Sequence, residues 1–432
     1  MPAAILGDII YFSIIFGSFF FFWYMVTIFW GSWKQLKWNE WFMSQDYTMV
    51  ELRVPSEMSR TPKAMEMVLN AMWEPSGGGG WFEDWLGIVT RPIFSLELVS
   101  IGGTPHFFVW LTKKDKLRFE TNMYGQYPTI QIVEVPDYTL FHDYDPETHK
   151  LMGFEYKKIQ KNDVIPIKTY RHLEQDKPGA KEEEKYDTIS QQLEIISAIG
   201  PHENMWTQIV LQPFVEGDPI DTPFKKRLSN AIDKQNPFLL FRNEVGSWQD
   251  AGKKVIKEQF TEKGLPEEDA EGNVKRPGLP LSPFDAQIVE VVRENMHRPV
   301  YNIGLRQIYF AKNEHFNGAN IPNMGSFYKS NAGSAQYNSL VPGTIPSLDK
   351  PWQFKRKEVV QEMKNDLYDA YVDRKFFNYE KEYAYGKKAG VKFAASTEEI
   401  ATLYHLPGAV AQTPTFERIA SATGDAPSNL PI

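Results

Sequence analysis

From Ile9 to Trp30 the chain carries no charged side chain: IIYFSIIFGSFFFFWYMVTIFW. A helix with this surface must bury it, and about 20 apolar residues are what a hydrocarbon core of roughly 30 Å requires. A cleaved leader does not fit. Asp8, and no Lys or Arg, precedes the run, and no small-x-small site follows it. The run therefore predicts a transmembrane helix over 9–30, behind a short extracytoplasmic stretch, 1–8. Lys34, Lys37, Arg53, Arg60 and Lys63 all follow it, so the positive-inside rule predicts a single-pass protein of the cytoplasmic membrane with its body in the cytoplasm. Trp30, Trp33, Lys34, Lys37, Trp38 and Trp41 are expected at the membrane interface, within an aromatic segment over 31–46. Membrane lipid is thus the first expected partner.

The remaining 400 or so residues are long enough for two or three compact units. Absence of cysteine excludes disulfides, thiolate chemistry and cysteine-bearing zinc or iron–sulfur centres. A formal charge of -8 argues against a body that binds nucleic acid over its whole surface, since phosphate neutralisation needs clustered Lys and Arg.

Periodicity then divides the body. Tyr47 to Val54 reads as a short strand and Pro62 to Met72 as a helix, with Ala64, Met65, Val68, Leu69 and Met72 at helical spacing. Phe94–Ser100 and His106–Leu111 read as a hairpin about Gly102-Gly103. Lys114 to Tyr124 predicts a helix and Thr129 to Val135 a strand, which gives a ferredoxin-like α+β arrangement over 47–175. A charged linker, 176–187, follows. Helix Thr188–Ile199, strand Met205–Pro213, helix Pro283–Met296 and strand Val300–Phe310 predict a second α+β unit over 188–349, with an irregular excursion from Asn320 to Asp349. The region 350–432 is expected to hold a long helix, Phe354–Phe377, and a connector tail. The fold class expected is α+β: an N-terminal transmembrane helix, two ferredoxin-like α+β units and a C-terminal helical tail.

Motifs of chemistry are sparse. The spacing G-x-x-x-x-G-K-[ST] is absent, and the glycine run Gly77–Gly80 leads into Trp81-Phe82-Glu83-Asp84. Neither H-E-x-x-H nor G-x-S-x-G occurs. His142, Asp143, Tyr144, Asp145, Glu147 and His149 form the densest set of potential ligand atoms, and a polar loop between aromatics accounts for them better than a metal does. Glu398 and Glu399 follow Ser396 and Thr397, where helix capping explains them better than acid–base work. No catalytic residue, cofactor or metal ligand is assigned. Lys355, Arg356, Lys357, Lys387 and Lys388 are the candidate nucleic-acid contacts, being basic residues near Tyr383 and Tyr385, although acids interleave with them.

Ser396 to Gly408 (STEEIATLYHLPG) followed by Ala426 to Pro431 (APSNLP) resembles the connector that precedes the motor domain in membrane-anchored ATPases of type IV secretion and conjugal DNA transfer. Ser95–Gly103, Glu120–Pro128 and Ile132–Tyr138 are similar to the N-terminal unit of the same ATPases, and Glu203–Pro213 and Gly304–Phe316 to later blocks, in the same order. The resemblance implies a membrane-proximal, non-catalytic scaffold or platform that docks a P-loop ATPase carried by a separate chain, with homo-oligomerisation as a further expectation. Glu399, Leu403, Tyr404, Leu406 and Pro407 are then the candidate docking residues, as an exposed apolar helix and turn. Two other classes stay open: a membrane-tethered nucleic-acid-binding module, and an enzyme of unrecognised type.

Overall fold

Strand signals dominate the body, and they are realised as one sheet. The computed structural model describes residues 36–55, 60–74, 91–142, 144–159, 162–173, 188–215, 247–261, 282–330, 337–348, 352–375 and 392–408, with scattered positions between 11 and 33 and a few strand fragments of two or three residues. Two compact units are distinguished, residues 1–46 with 76–91, and residues 47–75 with 92–432.

In the first unit the described positions from Tyr11 to Met43 are helical. Lys37 and Glu40, in the described helical stretch 36–43, pair at 2.7 Å. Among the described residues, no helix is long and apolar enough to cross a membrane. This corrects the expected transmembrane helix, and with it the single-pass membrane placement. The rest of 9–30, and Lys34, lie outside the described residues. Trp30 packs on Trp33 with ring centroids 5.5 Å apart, and Trp38 stacks on Phe42 at 5.2 Å.

In the second unit, nine strands among the described residues form an antiparallel sheet: β1 (Tyr47–Arg53), β2 (Phe94–Ile101), β3 (Thr104–Thr112), β4 (Gln131–Val135), β5 (His149–Lys158), β6 (Glu203–Pro213), β7 (Val300–Lys312), β8 (Leu340–Thr344) and β9 (Phe393–Ser396). Their spatial order is β8-β5-β7-β6-β2-β3-β1-β4, and β9 pairs with β7 beyond the end of β5. Seven helices pack with it: α1 (Pro62–Met72), α2 (Lys113–Gln126), α3 (Thr188–Ser197), α4 (Trp248–Thr261), α5 (Pro283–Asn295), α6 (Arg356–Val372) and α7 (Thr397–Leu403), beside two helical turns at Asn320–Met324 and Ser326–Ser330.

Each half of the sheet follows one rule. In β4-β1-β3-β2 and again in β8-β5-β7-β6, the first strand of the half lies between the third and the fourth. The two halves share one sheet, and the expected helical tail adds a strand to it. β2 and β6 pair antiparallel from Phe94↔Leu211 to Ile101↔Asn204, so the edge that each half would leave open is closed by the other. The tail contributes the ninth strand, at Val300↔Ser396 to Ile303↔Phe393.

Alternation sorts the side chains between two faces. One face presents Leu96, Leu98, Phe107, Val109, Leu111, Ile209, Leu211, Ile303 and Leu305 to the main core. Met65, Val68, Leu69 and Met72 of α1 and Ile189, Leu193 and Ile196 of α3 fall at helical spacing and enter the same core. The opposite face carries Met49, Val99, Phe108, Leu151, Trp206, Ile308 and Phe310 and is packed by Leu367, Tyr368 and Tyr371 of α6. The approach is close. A Cβ on Gly153 would lie 2.7 Å from Leu367 Cδ2 and 2.6 Å from the Gln307 carbonyl oxygen. The β2–β3 turn needs its glycines too, since Gly102 and Gly103 sit at φ 58° and 85° in a two-residue hairpin loop.

Candidate functional site

The α6 face of the sheet holds two polar constellations on the same four strands, β2, β6, β7 and β5. The first is a transverse row. Register places Glu97 opposite Gln208, Gln208 opposite Arg306, and Arg306 opposite Glu155. All four side chains point to one face and are at most 2% exposed. Arg306 Nε donates to Glu155 Oε1 at 3.2 Å and its Nη1 to Gln208 Oε1 at 3.3 Å. Gln208 Nε2 donates to Glu97 Oε1 and to the Tyr371 carbonyl, both at 3.0 Å.

Arg374, just past the end of α6 and in the left-handed region at φ 48°, closes the row. Its guanidinium donates to both oxygens of Glu97, at 2.9 and 3.2 Å, and to both oxygens of Asp137, at 2.6 and 3.0 Å. It also lies over the Trp110 ring, 5.2 Å from the centroid. Ser95 and Tyr138 hydroxyls donate to Glu97 at 2.6 and 2.7 Å, and Tyr138 shares a 2.9 Å bond with the Tyr371 hydroxyl.

Burial pushes the Tyr138 and Tyr371 hydroxyls well above the ordinary tyrosine pKa, and the nearby Glu97 adds to it. Burial lowers the Arg306 pKa, with Glu155 opposing. At Arg374 burial also works downward, but Glu97, Tyr138 and Asp137 outweigh it and hold the guanidinium protonated. Burial pushes the Asp137 carboxyl up, and the Arg374 guanidinium and the Thr139 hydrogen bonds more than reverse it. Each charged side chain of this row has a partner inside the protein.

The second constellation lies on the same face, where these strands end. Ile101, Asn204 and Phe310 are adjacent in register and floor a cavity of about 470 Å³. Lys312 and His149 face each other across β7 and β5, and His202 directly precedes β6, so three cationic or titratable side chains rim it on adjacent strands. Phe141 and His142, after a helical turn at Tyr138–Phe141, complete the wall. Phe141 is 68% exposed. Burial lowers the His142 pKa. No Asp or Glu lines the cavity among the described residues. Asp145 lies beside His149, and Glu314 contacts His315 at 3.4 Å while the His315 ring packs 4.5 Å from that of His202.

The residues singled out by sequence fall elsewhere. Glu399, Leu403, Tyr404, Leu406 and Pro407 are buried, not exposed. Glu399 accepts from the Ser396 backbone N–H at 2.9 Å, the returning half of a capping box, and from the Ile167 N–H at 3.0 Å. It also pairs with Lys158 Nζ at 2.8 Å, both side chains 1% exposed. Its neighbour Glu398 is held by Arg298 and Thr169. Phe107 packs edge-on against Tyr404. The expected exposed docking helix is thus corrected to a part of the core.

Lys355, Arg356 and Lys357 are exposed at the start of α6, where Lys355 pairs with Glu358 at 3.4 Å. Lys387 lies outside the described residues, and Lys388 belongs to a two-residue strand paired with Glu382. Of the polar loop noted in the sequence, His142 and His149 meet at the cavity and Asp143 lies outside the described residues. Among the described residues, no three His, Asp or Glu converge as a metal site. His202 and Lys312 carried no local signal; only strand register brings them to His149. No protein-family model matches the sequence, and no curated protein matches it.

Proposed function

We propose that the chain is a non-catalytic scaffold that presents a rigid sheet as the platform for a separate P-loop ATPase in a type IV secretion-like or conjugal DNA-transfer machine. One observation carries the first half of this reading. A set of charged side chains, Glu97, Arg306, Glu155 and Arg374, is buried between sheet and α6, with Asp137 at its edge, and its groups are bonded to one another. Catalysis needs groups poised to meet a substrate, and these are committed to joining strands. The ATPase partner rests on the sequence resemblance and on the absence of a phosphate-cradling motif within these residues. With Leu403 and Tyr404 buried, the partner must meet another surface.

The test is an affinity capture with the tagged full chain in its native cells, read by mass spectrometry, beside a nucleotide-hydrolysis assay of the purified chain. Recovery of an ATPase bearing G-x-x-x-x-G-K-[ST], with no hydrolysis by the chain alone, is the expected result. Hydrolysis by the purified chain, or capture without any such ATPase, overturns the reading.

A further inference from the structure

We propose that the cavity at the ends of β2, β6, β7 and β5 binds a small phosphorylated ligand that carries a planar ring, the chemistry of a nucleoside monophosphate. This goes beyond the scaffold reading and does not depend on it.

The protein has a formal charge of -8, so a wall whose described residues include cations and no carboxylate is not what its average surface offers. Neighbouring strands lie about 4.8 Å apart. His202, Lys312 and His149, at the ends of three neighbouring strands on one face, therefore stand within about 10 Å of one another along one wall of the cavity. Phosphate suits such a set, because each oxygen accepts from a separate donor and a Lys ammonium serves as a point charge. Among the described residues no carboxylate pairs with Lys312, whereas the buried Lys158 and Arg374 each have carboxylate partners.

Size and apolar surface narrow the class. A cavity of about 470 Å³ falls within the range of roughly 300–1,000 Å³ typical of small-molecule sites. Its floor is apolar, with Ile101 and Phe310, and includes one amide, Asn204, to orient a ring. Phe141 stands 68% exposed at the rim beside these groups. An exposed aromatic next to a cationic wall is the pairing that a nucleotide uses, stacking its base while its phosphate is neutralised. Asp145, beside His149, and Glu314, beside His315, are not among the residues that line the cavity.

The experiment is calorimetric titration of the full chain with AMP and with inorganic phosphate as probes, at low salt and below the ordinary histidine pKa of about 6.5. AMP is expected to bind saturably, and more tightly than phosphate by about tenfold or more, the gain that one stacked base supplies. The double substitution His202→Asn with Lys312→Gln should weaken AMP at least about tenfold. Both side chains are exposed, so the thermal melt should be unchanged, and Lys312→Gln alone serves if the double variant melts early. Phe141→Ala should bring AMP towards the affinity of phosphate. The proposal is overturned by three results: no saturable binding of AMP, equal binding by folded wild type and variants, or phosphate binding as tightly as AMP.

Discussion

The middle and the ends of the same four strands differ in what they do with charge. In the middle, Glu97, Gln208, Arg306 and Glu155 lie in one transverse row, covered by α6 and bonded to one another. Two rows further along, the same face carries Asn204 and Phe310, and then His202 and Lys312, exposed, with His149 half-buried beside them. Trp206 and Ile308 separate the two zones. Backbone, strand order and face are shared, so the contrast comes from the side chains and from where α6 stops covering them. A charge whose partners are all internal ties elements together; a charge without an internal partner is available to something else.

This contrast breaks most readily at Arg374. Arg374→Met strips Glu97 and Asp137 of their shared cation while leaving both in place, and should cost about 3–5 kcal/mol by urea unfolding, the range for a buried pair that loses one member. A loss below about 1 kcal/mol would mean that the row contributes little to the fold. Gly153→Ala tests the cover itself. The added methyl meets Leu367 and the Gln307 carbonyl at under 3 Å, so α6 must lift, at a cost of about 1–3 kcal/mol. Tyr371→Phe removes one hydroxyl from the row and should cost about 1 kcal/mol, since Tyr138 still donates to Glu97.

Acid provides a gentler probe. The Asp137 carboxyl is held below its ordinary value in the fold. Its contribution is therefore fully present above the unfolded-state aspartate pKa, about 3.9, and is lost as pH falls through the lower folded value. The urea midpoint of the wild type should fall across that window more steeply than that of Asp137→Asn. Lys312→Gln, at the strand ends, should change stability by less than about 0.5 kcal/mol at any pH, because it breaks no internal bond. A larger loss there would mean that the rim is architecture as well.

Much of the fold was legible where helix and strand periods were clean. Pro62–Met72 matches its helix residue for residue, and the β2–β3 hairpin follows from Gly102-Gly103 between two β-rich runs. β5 was missed. It is buried on both faces, so it lacks alternation, and Gly153 interrupts it. Glu97, Gln208 and Arg306 gave no sign of their burial: polar residues at alternate strand positions ordinarily face water, and only α6 overrides that. The tail misled as well. Leu403, Tyr404 and Leu406 read as an exposed patch because the core that receives them comes from distant segments, among them Phe107. The cavity was half legible. His142 and His149 are neighbours in the chain, but His202 and Lys312 join them only through pairing between strands far apart in sequence.

One strand sets a timetable. β7 is flanked on one side by β6 and on the other by both β5 and β9, so the two segments made before it, β5 and β6, wait for it. At ribosomal rates of about 5–20 residues per second, the stretch between Pro213 and Val300 takes on the order of 5–20 seconds to synthesise. Throughout that interval β6 offers a bare edge of apolar and polar groups to whatever is nearby. A nascent chain built this way needs protection midway through translation, and slowing synthesis between β6 and β7 should raise misassembly more than slowing it anywhere else.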